Sequence, residues 1–338
     1  IKKFNIKRVV LDSLIFFGVE KSIPQPPKFL FELINRLRSI GLTEVEGIKD
    51  AIETACRAFA GRVESRIDCP VQESGLYPVI FNGGALGVLI HEGLAAHLLS
   101  AKYIEEHATT FKGKLGRQIM PSFISVYNDP SKEGVWGSYR YDEEGIKSQR
   151  IELVRNGTLM DFLHDRSTAG RMNRKSNGCC RAENKKGYDH EPIVTEPRIG
   201  IIEVTTPEPK SQENLVNRLI GFCKKQGLEY GLLVEDGGGE VWPGTGEFSI
   251  YPRWISRIYT DGRIVPVSRG YILGNPYNML NDITALGNNP ITRTGFCGAD
   301  SGFVYTAELA PSALLSRVEV RQEEDDAVKK RLVPEKEE

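Results

Sequence analysis

Apolar and polar residues alternate with two different periods along this chain, and the period changes near residue 67. Before that point Phe29, Leu30, Leu33, Ile34 and Leu37 recur at helical spacing, and Ile48, Ala51, Ile52, Ala55 and Phe59 do so again. "TEVE" at 43–46 has the form of a capping box opening the second of these helices. Upstream, a basic start and the apolar stretch "VVLDSLIFFGV" lead into "SIPQPPKF", whose prolines predict an extended connector. Residues 1–66 therefore read as a short helical N-terminal segment.

Beyond it the pattern shortens toward strands. "YPVIFNGGALGVLIHEGLAAHLLSAKYIEEH" predicts a strand, a glycine turn and a helix. "IELVRNGTLMDFLHD" has two apolar runs around Asn156-Gly157, and "SRIYTDGRIVPVSRG" repeats the arrangement around Asp261-Gly262; both predict hairpins. Further strands are expected at "RIGIIEVTT", "YGLLVED", "GEFSIYP" and "LLSRVEVRQ", with a helix near 211–226 between them. The expectation is an α+β fold: a β-rich, antiparallel domain with helices over 67–320, closed by a charge-dense tail at 321–338. No internal repeat of fixed period is evident.

Composition narrows the function classes. The 338 residues carry a formal net charge of -1, so no global field favours nucleic acid or an anionic membrane. Aromatic residues are scattered rather than interleaved with lysines, which speaks against a platform for single-stranded nucleic acid. The six cysteines form no CxxC pair, and a chain this long does not depend on disulfides, so a reducing cytoplasm is the expected compartment. "VVLDSLIFFGV" contains Asp12 and is shorter than the roughly 20 apolar residues a membrane span needs. It also lacks the small-residue cleavage site of a signal peptide. Because the chain begins with Ile1, a processed or truncated product is expected.

The candidate chemistry lies in "GVLIHEGLAAHLLS", which holds two of the five histidines. A zinc hydrolase needs neutral imidazoles or thiolates as ligands, an open position for water, and a carboxylate to take a proton. His91, Glu92 and His97 supply those types. In H-E-x-x-H the histidines share a helix face, whereas six residues of a regular helix rotate by about 600°, leaving the two side chains roughly 120° apart. Two readings stay open: a metal half-site made possible by a bulge, a kink or a helix end near Ala95-Ala96, or two separately satisfied helix residues. Cys297 by itself reads as a small buried hydrophobe, and the side chains of Cys179 and Cys180 diverge if they lie on a strand. His164 is expected at the surface or in a structural hydrogen bond, and His107 and His190 in exposed, charged surroundings. The glycines of "EDGGGEVWPGTGEF" lack a G-K-[ST] ending and predict a flexible strand connection rather than a phosphate loop.

Ten segments, in order, resemble the TldD/PmbA family: "YPVIFNGGALGVLIHEGLAAHLLSA", "FKGKLGRQI", "SVYNDP", "YDEEG", "LVRNGTLMDFLHDRSTA", "NGCCRA", "TGEFSI", "ILGNPYNMLNDITALG", "GFCGADSG" and "APSALLSRVEV". The resemblance covers about residues 44–320. It implies a zinc metallopeptidase of the cytoplasm, acting on peptides or unfolded protein segments as a homodimer or as a heterodimer with a family paralogue. Carried over, His91 and His97 are metal ligands, Cys297 is the third, and Glu92 is the general base. Arg181, after "NGCC", matches a family arginine suited to a substrate carboxylate or carbonyl; its ordinary alternative is an ion pair with Asp142 or Glu143. This chain departs from the family in one extra residue between the histidines, in Ser100 and Ala299 where acidic and lysine residues are usual, and in a shortened N-terminal part. A non-catalytic PmbA-like partner is the alternative implication, and an adaptor that captures peptides without cleaving them is a third.

Overall fold

The computed structural model describes residues 57–66, 68–107, 110–183, 194–242, 247–268 and 270–322. The chain divides into two units, one spanning Cys69–Glu324 and the other made of residues 1–68 and 325–338. Of the latter, residues 57–64 are helical, in keeping with the apolar spacing that ends at Phe59. The expected connector, the first N-terminal helix, the "TEVE" cap, His190 and nearly all of the charged tail lie outside the described residues.

Within Cys69–Glu324 the chain runs β1 (Gly75–Phe81), α1 (Gly83–Ile90), a π-helical turn (His91–Ala95), α2 (Ala101–Glu106), β2 (Ser125–Asn128), β3 (Ile151–Arg155) and β4 (Thr158–Leu159). Then follow α3 (Arg166–Arg171), β5 (Cys180–Arg181), β6 (Glu196–Pro197), β7 (Ile201–Thr205), α4 (Gln212–Gln226), β8 (Tyr230–Trp242) and β9 (Glu247–Tyr259). The last elements are β10 (Ile264–Val267), β11 (Gly270–Gly274), α5 (Pro276–Asn281), β12 (Ile283–Leu286), β13 (Ile291–Ala299), β14 (Gly302–Ala310) and β15 (Ala313–Gln322). The fold is α+β and sheet-rich, as the apolar pattern predicts.

One sheet follows the order β1-β8-β9-β11-β15-β12, with β10 on β9; because β15 also pairs with β1, the pairing closes on itself. The second runs β13-β14-β7-β2-β3-β4, and β5 and β6 form a separate pair. Most pairings are antiparallel, but β1–β8 and β14–β7 are parallel, so the sheets are mixed where hairpins alone would make them purely antiparallel. Each parallel partner is supplied from far along the chain, a choice that turn residues do not encode.

Both expected hairpins form. Asn156 and Gly157 have φ of 45° and 77°, the two positive values of a two-residue primed turn, and Arg155 pairs with Thr158. At Asp261-Gly262 the loop is longer: Tyr259 N–H donates to the Arg263 carbonyl, and Gly262 alone takes a positive φ, of 91°. That is a three-residue loop with glycine at its left-handed position. The helix at 212–226 is capped by Ser211, whose hydroxyl accepts from Asn214 N–H, and stopped by Gly227 at φ 68°.

In the glycine-rich stretch "EDGGGEVWPGTGEF", residues 243–246 lie outside the described residues, and the "EDGGGE" part departs from expectation. It lies inside β8, a continuous strand paired with β9 through Gly237↔Pro252, Gly238↔Tyr251 and Gly239↔Ile250. A side chain on Gly239 would meet Val88 Cγ1 at 2.8 Å and Glu92 Cγ at 2.9 Å. The glycine is there because a helix lies against the strand, and ladder hydrogen bonds hold the backbone that composition alone marks as flexible.

That helix is α1, every residue of which is buried. It contacts β8 of the first sheet and β13 and β14 of the second. A helix apolar on all sides belongs between two layers, and "GGALGVLI" is such a sequence. No described helix is long and apolar enough to cross a membrane.

Candidate metal centre

The centre starts from the cap of α1. Asn82 Oδ1 accepts from Ala85 N–H at 2.8 Å and from Asp236 N–H at 3.0 Å, so one side chain both opens the helix and ties its start to β8. Gly87 then lets the helix press on β14, where an added Cβ would stand 2.9 Å from Glu308 Cβ. The next turn widens. Ala96 N–H donates to the His91 carbonyl at 2.9 Å, an i→i+5 bond, and the helix gives way to a turn in which Ser100 N–H donates to the His97 carbonyl. His97 is therefore placed by an unwinding helix end rather than by regular rotation, which removes the objection that its spacing raised.

The third side chain arrives from the opposite sheet. Cys297 faces inward on β13, whereas its neighbour Phe296 faces outward beside Trp136 and Tyr305. The ligand-type atoms of His91, His97 and Cys297 all lie within 4.8 Å of one another, with Cys297 Sγ 3.7 Å from His97 Nε2. Tyr103 of α2 packs against the His97 ring, the centroids 5.9 Å apart. Glu92 stands beside the group, its Oε1 3.9 Å from His91 Nε2.

Electrostatics in this pocket oppose burial. Burial disfavours an imidazolium at His91, but the Cys297 thiolate and the Glu92 carboxylate beside it hold its pKa well above the usual histidine range. Burial likewise disfavours a thiolate at Cys297, yet the two imidazoles hold that thiol well below its usual range. Burial pushes the Glu92 carboxyl up, with the imidazoles pulling the other way. Two imidazoles and a ready thiolate form the nitrogen and sulfur donor set of a borderline-soft metal, not the oxygen set of calcium or magnesium.

Three residues essential to this geometry were not singled out from the sequence. Glu308 on β14 is fully buried and its Oε1 lies 2.6 Å from His91 Nδ1. Arg293 donates to Glu308 Oε2 at 3.0 Å and to the Gly237 carbonyl at 3.1 Å. Arg198, also fully buried, donates to the carbonyls of Cys297 and Gly302 and to Ser301 Oγ. Glu308 and Arg198 carried a signal, a charge set among apolar residues in "VYTAELAPSALL" and "PRIGII", whereas Arg293 in "ITRTGF" carried none.

The remaining candidates sit elsewhere. Arg181 donates from Nη1 to the carbonyls of Ile199 and Tyr305 and stacks its guanidinium 4.9 Å from the Tyr139 ring centroid. Asp142 accepts instead from the backbone N–H groups of Cys180, Glu144 and Ile146, so the expected ion pair with Arg181 is replaced by a loop clamp. His164 is buried rather than at the surface, with Nε2 3.5 Å from Asp161 Oδ1. His107 is exposed and stacks on Tyr103. Burial pushes the Cys179 and Cys180 thiols up to about 12, the opposite of what a metal ligand needs.

A closed mixed sheet facing a second sheet across one buried helix, with a histidine, histidine and cysteine cluster at that helix's end, defines an α+β domain carrying a metal-type donor set. The chain belongs to the PmbA/TldA metallopeptidase family, whose C-terminal domain model matches residues 74–322. A metalloprotease of Methanocaldococcus jannaschii is 30% identical over 261 residues, which cover 75% of this chain and 53% of the relative. A metalloprotease TldD homologue of Buchnera aphidicola is 25% identical over 251 residues, covering 73% and 48%. Among solved structures, TldE of Thermococcus kodakarensis superposes with a TM-score of 0.60 at 18% identity, covering 81% of this chain and 56% of that one, a likeness of fold. The chain thus spans about half the length of the curated relatives it matches.

Proposed function

We propose that the chain carries the centre of a zinc-dependent peptidase that cleaves peptides or unfolded protein segments in a reducing cytoplasm. The observation that carries this reading is the convergence of His91, His97 and Cys297 within 4.8 Å, with Glu92 alongside. Zinc held at about 2.0–2.3 Å from nitrogen and sulfur donors needs those donors to surround one point, and this cluster needs only small side-chain adjustments to do so. Bound there, the ion supplies Lewis acidity that polarises a carbonyl and acidifies a water near neutral pH.

The chain's own groups do the rest. Glu92, packed against Gly239, has its carboxyl raised by burial, and its place beside the cluster suits a group that takes a proton from water and returns it to the departing amine. Substrate backbone finds an edge nearby: among the described residues β13, the strand of Cys297, pairs only with β14. An open edge accepts any extended main chain, in keeping with broad specificity. A second subunit, identical or a paralogue, is expected to complete the enclosure. Arg181 is retained as a substrate-side candidate only indirectly, by fixing the backbone of Tyr305 on β14, the partner strand of β13.

Metal content decides the proposal. Mass spectrometry of the wild-type protein is expected to show near-stoichiometric zinc, and His91→Ala, His97→Ala and Cys297→Ala are each expected to lose it. A wild-type protein that neither contains nor takes up zinc would overturn the peptidase reading in favour of a non-catalytic family subunit.

Affinity should also depend on pH with a definite sign. Because the pKa of His91 is raised in the metal-free protein, binding displaces its proton, so affinity falls as pH drops through that raised range. The slope is about tenfold per pH unit for each proton displaced. Cys297, already a thiolate, adds no dependence until pH reaches its lowered range. Chelator competition across pH checks this, and a flat profile contradicts the ligand role of His91.

A further inference from the structure

We infer that Glu308, backed by Arg293, is the positioning residue that presents Nε2 of His91 to the metal, an inference that rests on the peptidase reading above. A histidine has two ring nitrogens, and which one faces a metal is settled by what the other one bonds. His91 Nδ1 meets Glu308 Oε1 at 2.6 Å, so Nδ1 carries the hydrogen and donates it, leaving Nε2 turned toward the cluster.

Glu308 makes that bond from a fully buried place, with its other carboxylate oxygen held by Arg293. Arg293 is itself fixed, spanning from Glu308 Oε2 to the carbonyl of Gly237 on β8. Thr306 Oγ1 adds a weaker contact to Oε1 at 3.4 Å. The pair therefore links β14, β13 and β8 behind one ligand, and Gly87 gives Glu308 the room to stand directly under the helix that bears His91. Glu308 is fully buried whereas Arg293 is partly exposed, and an unpaired carboxylate at Glu308 would be costly, so its presence calls for a role that burial alone does not explain.

Zinc affinity by chelator competition, on the whole protein, tests the inference with the metal alone as probe. Glu308→Gln keeps the shape but offers a neutral acceptor, and it is expected to weaken zinc binding by about 10–100-fold. Glu308→Asp, which keeps the charge, is expected to recover part of the loss, and metal-free thermal unfolding of Glu308→Gln should stay close to that of the wild type. Arg293→Met should weaken binding too, while the double variant with Glu308→Gln should lose no more than the larger single effect, as expected of residues acting as a unit. Wild-type affinity in Glu308→Gln overturns the inference. Nuclear magnetic resonance of the metal-free protein gives a separate readout: the His91 Nδ1 proton should resonate far downfield and move on Glu308→Gln. If wild-type protein binds no zinc, the peptidase reading fails, and the downfield proton still decides whether Glu308 orients His91; its absence from the wild type overturns the positioning role.

Discussion

Replacing Glu92 with glutamine is expected to lower the proposed peptide hydrolysis by about 10²–10⁴-fold, the range that a positioned acid–base group contributes. Zinc content stays at the wild-type level, because the amide removes proton transfer and leaves the donor set intact. The argument is one of place and pKa together. Glu92 is adjacent in sequence to one candidate ligand, lies 3.9 Å from its Nε2, and is packed against a strand glycine that admits no side chain. Burial raises its carboxyl above the usual range, with the two imidazoles pulling the other way. Steady-state kinetics on an unstructured peptide, run beside metal analysis of the same preparations, separates the outcomes. An active Glu92→Gln protein removes Glu92 from the chemistry, and an inactive one that has also lost zinc makes Glu92 a ligand instead.

Arg198→Met destabilises the fold by about 3–5 kcal/mol, the cost of breaking a buried ionic network from one side. Arg198 is fully buried, and its Nη atoms satisfy two carbonyls and a hydroxyl in the β13–β14 hairpin, while Glu196 lies 3.5 Å away. A thioether fills the volume but donates nothing, so the Cys297 and Gly302 carbonyls and Ser301 Oγ each lose a charged donor. Glu196 keeps Lys102 at 2.9 Å, which limits the damage at that carboxylate. Because the Cys297 carbonyl is one of the groups that lose a donor, zinc affinity should fall as well. Denaturant unfolding of metal-free protein measures the first effect; an unchanged midpoint and slope would show that the hairpin holds itself.

How far the chain announces this structure depends on how local each feature is. The Asn156-Gly157 hairpin is legible because a two-residue primed turn needs two positive φ values that few other pairs tolerate. At Asp261-Gly262 the hairpin is legible but its loop length is not, since glycine serves a three-residue loop equally well. Helix 212–226 is readable from Ser211, Gly227 and the apolar spacing between them. The glycines of "EDGGGE" are misread as a flexible connection, because the reason for glycine at 239 is the contact with Val88 and Glu92, more than a hundred residues earlier in the chain.

The same division runs through the candidate site. His91, Glu92, His97 and Cys297 are recognisable as chemical types, and the order of ten short segments points to one family, because donor identity and motif order are properties of the chain itself. Whether those donors meet is not, since a regular helix would turn His97 away from His91. The tertiary structure decided it by ending the helix in a π turn and bringing β13 across from the other sheet. It also chose Glu308, Arg293 and Arg198, whose sequence neighbours give them no visible task. Their roles come from burial: a charge taken out of water must find its partner wherever the fold puts one, and that partner's distance along the chain carries no information about its distance in space.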